Sequence, residues 1–431
     1  MNLHRFETGF GPHVFLADGS RIYAIDAALA RSIDDAAGDA AATQDLLSRY
    51  GLLAAEPAIG PAPLADPPLQ SLSLAVAQRC NLACGYCYAQ GGAFGGEAKA
   101  MPWEVAQSAV RLLIEGATPG ERVTLAFLGG EPMTNRTVVR RATEYAAEQA
   151  GRRGVRIGFA ITTNATLLRE DDAAFFARYR FAVTVSLDGI AAVHDTLRPF
   201  KGGQGSYARA MERLRPLLAA RPGVKVFVRA TVTPRNLRLR ETLDGLAEAG
   251  FDSIGFSPML AGPDGGEALG EHDLAVLLEQ MIDCGRTFER HILAGRDHPF
   301  SNMHTAMWEI HRGTHRPYPC GAGAGYFGVS ADGDLAACHR FVDDPAGAMG
   351  SIASGIDRTA QGAWLKTRFV DRQEPCRRCW ARYLCGGGCH HEVIHRGRPA
   401  CDLIRGWLHY CLQAYVAISE GRPDYFAAPR G

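Results

Sequence analysis

The stretch Ser71-Leu-Ser-Leu-Ala-Val-Ala77-Gln-Arg-Cys80-Asn-Leu-Ala-Cys84-Gly-Tyr86-Cys87-Tyr88 decides how the rest of the chain is read. Residues 71–77 form an apolar, strand-like run, and three cysteines follow it directly in a C-x3-C-x2-C spacing. Three thiolates are one ligand short of a closed tetrahedral site. Thiolates are soft ligands that select zinc, copper(I) or iron–sulfur clusters, and a cubane cluster held by three of them leaves one iron free for chemistry. A zinc knuckle or a set of buried thiols is the plainer reading of the same residues.

The whole chain bounds that choice. Its 431 residues suggest about three domains with room for a large core. Lysine plus arginine equal aspartate plus glutamate at 46 each, so no global field recruits nucleic acid or an anionic membrane surface. Residues 1–9 lack a signal-peptide pattern, and no apolar run is long enough to span a bilayer, which predicts a cytoplasmic protein. There the chain's 12 cysteines argue for metal or redox use over disulfides.

Residues 1–68 read as a small α+β module with a linker. Strand-like residues 13–16 and 21–25 flank the turn Ala17-Asp-Gly-Ser20, and a helical pattern runs over 27–50. Pro57, Pro61, Pro63, Pro67 and Pro68 make residues 56–68 an extended linker. From 69 to 305, β-rich runs at 71–77, 122–128, 155–163, 181–187, 224–233 and 254–257 alternate with helical patterns. Such alternation implies an α/β fold of βα units around a parallel sheet, with reacting groups at the carboxyl ends of the strands.

Several motifs fall at those ends. Phe127-Leu-Gly129-Gly130-Glu131-Pro132 offers glycines for close backbone approach to a ligand and a carboxylate suited to an ammonium, although a Gly-Gly-Glu-Pro turn needs no ligand. Thr162-Thr-Asn164-Ala165-Thr166 and Val185-Ser186-Leu-Asp188-Gly189 supply donors and acceptors for hydroxyls or a carboxylate, or simply cap helices. Arg198 could pair with a carboxylate, and Arg229 is a weaker candidate. Residues 306–431 carry Cys320, Gly333-x4-Cys338, Cys376-x2-Cys379-x5-Cys385-x3-Cys389 and Cys401. A zinc ribbon would reuse the C-x2-C geometry within 376–389.

The cysteine triplet, with Tyr86 before its last member, resembles the signature of radical S-adenosylmethionine (SAM) enzymes. The motifs that follow are similar to family segments that contact SAM. The resemblance implies an open (β/α)6 partial barrel and a [4Fe-4S] cluster on Cys80, Cys84 and Cys87 whose free iron chelates SAM. It also implies SAM contacts from Tyr86, Gly129, Gly130, Glu131, Pro132, Asn164, Ser186, Asp188 and Arg198. One electron then cleaves SAM to a 5′-deoxyadenosyl radical that abstracts hydrogen. Ala165 stands where the family commonly has glycine.

The C-terminal array resembles the SPASM domain of radical SAM peptide maturases, which holds two auxiliary iron–sulfur clusters, expected as [4Fe-4S]. The family's interleaved pattern implies one on Cys376, Cys379, Cys385 and Cys401 and another on Cys320, Cys338 and Cys389. The latter lacks its usual fourth cysteine, since Gly321-Ala-Gly-Ala-Gly325 follows Cys320, unless Cys411 completes it. Cys284 and Cys411 otherwise read as buried thiols. His339 stands where some relatives have a catalytic aspartate, so it is a possible base or a hydrogen-bond partner of the cluster.

The segments 320–350 and 401–411 resemble most the quinohemoprotein amine dehydrogenase maturation proteins. These crosslink cysteine sulfur to methylene carbons of aspartate or glutamate in a small dehydrogenase subunit. That resemblance implies a polypeptide substrate, thioether products and an electron donor such as flavodoxin or ferredoxin, with the N-terminal module binding substrate. Carbon–carbon bond formation, epimerisation, or oxidation to formylglycine are rival radical outcomes, and a non-catalytic cluster or peptide carrier is a further alternative.

Overall fold

The computed structural model describes residues 3–53, 62–220, 223–260 and 268–427. Residues 56–61 of the expected linker lie outside them, and residues 62–70 hold neither helix nor strand. The N-terminal module is a three-stranded antiparallel sheet of β1 (Leu3–Thr8), β2 (Gly11–Leu16) and β3 (Arg21–Ala24). The expected hairpin is there, and β1 is an addition. The helical pattern over 27–50 is divided into Ala27–Asp35 and Ala40–Arg49. Gly38 at φ +95° breaks the run, and the Asp39 carboxylate restarts it by accepting from the Ala41 and Ala42 amides at 2.9 and 3.0 Å.

All six expected strands of the central region form. They are β4 (Ser71–Gln78), then, after the short β5 (Lys99–Ala100), β6 (Arg122–Gly129), β7 (Arg156–Thr163), β8 (Ala182–Ser186), β9 (Lys225–Val232) and β10 (Ile254–Pro258). They pair in parallel in the order β4-β6-β7-β8-β9-β10, each joined to the next through helix, as parallel neighbours require. The protein is an α/β chain built on a (β/α)6 partial barrel. Strand β4 is buried along nearly its whole length, as expected for a strand covered on both faces. Phe127, Phe159, Phe176 and Phe181 pack behind the sheet, with ring centroids 4.8 to 6.1 Å apart around Phe181.

The cysteine-rich region continues this same sheet. Strand β11 (Tyr326–Val329) adds in parallel to the free edge of β4, in register from Tyr326 opposite Ser71 to Val329 opposite Leu74. Strands β12 (Asp334–Ala336), β13 (Ala348–Ser351) and β14 (Gly355–Ile356) extend it antiparallel. The fully buried Gln78 secures the junction, donating to Asp343 Oδ2 at 2.6 Å and accepting from the Ala331 amide at 2.8 Å. The helix Ser301–His311 runs through the expected 305/306 division. Among the described residues no helix is long and apolar enough to cross a membrane.

The N-terminal sheet docks on the C-terminal region. His4 stacks on Trp380 at 3.9 Å and bonds His409 at 2.8 Å, while Arg382 pairs with Asp18 at 2.9 Å.

Candidate functional site

The loop 79–88 leaves the carboxyl end of β4 and passes over glycine. A Cβ on Gly129, at φ +142°, would lie 2.2 Å from the Ala77 carbonyl oxygen, and one on Gly130 would lie 2.3 Å from that of Arg79. The Gly130 and Glu131 amides donate to the Ala77 and Arg79 carbonyls at 2.8 and 2.9 Å. Gly129 and Gly130 admit the backbone of the cysteine loop, and the Gly130 and Glu131 amides are spent holding it.

Glu131 is fully buried beneath. Its Oε1 accepts from Thr163 Oγ1 at 2.7 Å and the Met133 amide at 3.0 Å, and its Oε2 accepts from the Asn164 amide at 2.7 Å. Burial raises its pKa against these bonds, and Oε2 accepts one hydrogen bond where Oε1 accepts two. Pro132 opens the short helix that follows. Asn164 reaches back to the loop, with Nδ2 donating to Asn81 Oδ1 at 3.0 Å and to Cys80 Sγ at 3.7 Å. Ala165 takes φ +66°, the left-handed region where glycine is at ease.

The third group is built on Tyr86. Its hydroxyl donates to Asp188, which is fully buried at the end of β8, and accepts from Arg198 Nη1. Asp188 and Arg198 lie 3.6 Å apart, and the Thr231 amide donates to Asp188 Oδ1 at 2.9 Å. Burial pushes the Asp188 carboxyl up, opposed by Arg198 and Tyr86. Arg198 Nε is buried and has no hydrogen-bond partner among the described residues. Ser186 is half-buried just before this group. His194 supports it from behind, accepting from the Asp188 amide at 3.3 Å and bonding Ser206 Oγ at 3.0 Å, which donates to the Arg198 carbonyl at 2.6 Å.

The ten cysteines expected as ligands fall into three groups. Cys80, Cys84 and Cys87 influence one another electrostatically, and burial pushes Cys84 to about 11. Cys320, Cys338 and Cys389 do likewise, with Cys338 pushed to about 12. Cys376, Cys379, Cys385 and Cys401 line one apolar cavity together. Cys411 is fully buried and joins none of these groups, and Cys284 is likewise buried. Cys411 thus does not complete the open set.

The sulfurs fit iron–sulfur ligation in a way the sequence does not announce. The amide two residues downstream donates to the sulfur at Cys80, Cys320, Cys338 and Cys385. Such N–H donors stabilise the thiolate and tune a cluster. At Cys385 they come from Gly387 and Gly388, in a run where Gly386, Gly387 and Gly388 have φ of +72°, +95° and +79°. Successive backbone N–H groups of this kind form an anion-binding concavity.

His339 links two of the groups. Its Nδ1 bonds the Tyr326 hydroxyl at 2.7 Å, its ring lies 5.9 Å from Tyr88, and burial with Arg340 and Arg229 lowers its pKa to about 4. Beside it, Arg340 donates to Cys389 Sγ at 3.6 Å and to Glu392 at 2.8 Å. Arg229 is placed with this group, lining a cleft shared with Arg316, Glu309 and Cys389. Asn81, His194 and Arg340 were not singled out from sequence. Asn81 lies inside the cysteine triplet and Arg340 two residues past Cys338, so position was their one signal.

Comparison with known proteins agrees with this geometry. Residues 74–235 match the family model of the Radical SAM superfamily. The chain is 30% identical over 189 residues to an uncharacterized protein of Methanocaldococcus jannaschii, covering 44% of this chain and 62% of that protein. It is 24% identical over 346 residues to the serine-type anaerobic sulfatase-maturating enzyme of Klebsiella aerogenes, covering 76% and 81%. Among solved structures, native anSMEcpe with bound AdoMet and a peptide superposes with a TM-score of 0.67 at 20% identity, over 82% of this chain and 99% of that one. Streptococcus suis SuiB bound to S-adenosylmethionine does so at 0.53 and 16% identity, over 93% and 97%. At these identities the solved structures bear on the fold. Residues 74–235, the stretch that matches the Radical SAM superfamily model, hold the Cys80, Cys84 and Cys87 loop together with Glu131, Asp188 and Arg198.

Proposed function

We propose that this chain is a radical SAM enzyme that modifies a polypeptide, joining cysteine sulfur to methylene carbons of aspartate or glutamate in a small amine dehydrogenase subunit. The observation that carries the reading is the grouping of three thiols, Cys320, Cys338 and Cys389, of which Cys389 borders the Arg229 cleft. When bound, SAM and the clusters would supply hydrogen abstraction from carbon and an iron site for a substrate thiolate.

The chain's own residues would do the rest. Arg198 Nε and Glu131 Oε2 suit the carboxylate and ammonium of a bound amino acid such as the methionine part of SAM. Arg229 gives the cleft a cation that would match an acidic substrate side chain, while Arg316 is paired with Glu309 at 2.9 Å. His339 beside the open thiol group would act as a base or as a hydrogen-bond partner of the cluster, and a pKa lowered to about 4 by burial favours the second role. The two further sulfur sets would hold auxiliary clusters, and flavodoxin or ferredoxin would deliver electrons. The N-terminal sheet would hold the polypeptide.

The reading is tested by incubating anaerobically reconstituted enzyme with SAM, reductant and a cysteine-containing polypeptide encoded beside it, followed by intact and fragment masses. Thioether formation removes a pair of hydrogens per bond, protects the cysteines from alkylation and links them to acidic residues. Similarity to sulfatase-maturating enzymes favours a second reading, oxidation of one side chain to an aldehyde. That product would react with a hydrazine probe and show no crosslink, and the thioether proposal would be withdrawn.

A further inference from the structure

The short helix His390–Arg396 follows Cys389 and carries His391-Glu-Val-Ile-His395. Residues four apart share a helix face, and the two imidazole rings lie 4.6 Å apart. Facing them is Asp344, whose Oδ2 is 2.7 Å from His395 Nε2. The other carboxylate oxygen is fixed, since Oδ1 accepts from the Ala346 amide at 2.9 Å. One ligand atom from each of Asp344, His391 and His395 falls within 4.8 Å of the others. His391 Nδ1 is buried and has no hydrogen-bond partner.

We infer that Asp344, His391 and His395 form a divalent transition-metal site of the zinc class, separate from the cysteine groups. Two imidazoles and one carboxylate are the ligand set that zinc and its neighbours take, with a position left for water. Bonds near 2.1 Å would place ligands of a tetrahedral ion roughly 3.4 Å apart, and rotation of the exposed His395 closes that gap. The His395–Asp344 ion pair alone would leave the His391 nitrogen orphaned. An ion satisfies all three groups, with the Ala346 amide as the outer-shell bond that orients the carboxylate.

The H-E-x-x-H spacing also occurs in zinc peptidases, where the glutamate acts as base. Here Glu392 is occupied by Arg340 at 2.8 Å, away from the histidine face, so this geometry assigns no hydrolytic role. The ion would instead tie the loop after Cys338 to the helix after Cys389, holding two of the three open-set thiols in place. The site opens to solvent through a cavity also lined by Tyr88, Gln90, Phe94 and Arg340.

The test uses full-length enzyme with its clusters reconstituted anaerobically, washed with chelator, dialysed against Zn²⁺ and assayed for zinc, iron and sulfide. One retained zinc per chain is expected, with only nitrogen and oxygen neighbours by X-ray absorption. His395→Ala and Asp344→Asn should each lose that zinc while iron and sulfide stay at wild-type content, which also reports that the variants fold. No retained zinc in the wild type, equal retention in both variants, or sulfur in the zinc shell would each overturn the assignment.

Discussion

The Tyr86 hydroxyl stands between the Asp188 carboxylate, to which it donates, and the Arg198 guanidinium, from which it accepts. One aromatic residue of the cysteine loop thus couples that loop to the end of β8 and to the helix Ala191–Leu197 that precedes Arg198. Tyr86→Phe keeps the ring and removes both bonds. Because hydrogen bonds to buried charges contribute about 1.5–3 kcal/mol, the variant should lose about 2 kcal/mol of unfolding free energy. Arg198 should also relax toward Asp188 and away from ligand. SAM binding should weaken roughly tenfold, the equivalent of ~1.4 kcal/mol, at unchanged iron content. Equal SAM affinity in a titration of reconstituted enzyme would show that the triad does not set the pocket.

Ala165→Gly tests backbone strain. An L-residue in the left-handed region costs about 1–2 kcal/mol, and glycine gives back about 0.4–1 kcal/mol through the freer unfolded chain. With Ala165 at φ +66°, the substitution should stabilise the protein by roughly 0.5–1 kcal/mol in denaturant unfolding. Ala165→Val should destabilise it, since a β-branched side chain is poorly tolerated there.

Most of the barrel was legible because six runs of β-forming residues carry their own local signal and their order predicts parallel pairing. The Cys80, Cys84 and Cys87 triplet was legible because its spacing is local, whereas the interleaved grouping of the later cysteines came from the family resemblance. What escaped depends on contacts across hundreds of residues. No periodicity places Tyr326 beside Ser71, so the continuity of β11 with β4 was not foreseen. The close approach of the Ala77 and Arg79 carbonyls to Gly129 and Gly130 was not foreseen either, because a close approach to backbone and one to ligand call for the same residue. Arg229 was weighed as a SAM contact on its place at a strand end, whereas its charged neighbours in the fold are Arg340, Cys389 and Glu392. The role of Asp344 opposite His391 needed the fold itself.

A pH prediction follows from His194. Burial, with Arg198 adding to it, lowers its pKa to about 3, so it is neutral in the folded chain. In the unfolded chain it titrates near 6.5, so below that pH the unfolded state binds the extra proton. Stability should therefore fall as pH drops through the window from 6.5 toward 3, by at most about 1.4 kcal/mol per unit from this residue. His194→Gln should have a shallower dependence between pH 5 and 6.5 than the wild type. Identical slopes would assign the acid sensitivity to other groups.

Arg340 is the charged residue that most directly joins the open thiol group to its surroundings. It donates to Cys389 Sγ, pairs with a Glu392 side chain that is 12% exposed, and lies 5.4 Å over the Tyr88 ring beside Cys87. Removing a cation from beside a cluster sulfur disfavours the more negative, reduced state, so Arg340→Ala should move that cluster's reduction potential to more negative values. Glu392 would lose its partner, at a cost of about 2 kcal/mol, below the ~3–5 kcal/mol of a fully buried pair because it keeps some solvent. Arg340→Lys should restore part of the potential, since the charge returns without the planar fork that serves sulfur and carboxylate together. Redox titration followed by electron paramagnetic resonance separates these variants. SAM cleavage without polypeptide should persist in both, because Arg198, Asp188 and Tyr86 are untouched. A potential unchanged in Arg340→Ala would mean that the Cys389 sulfur does not ligate a redox-active cluster.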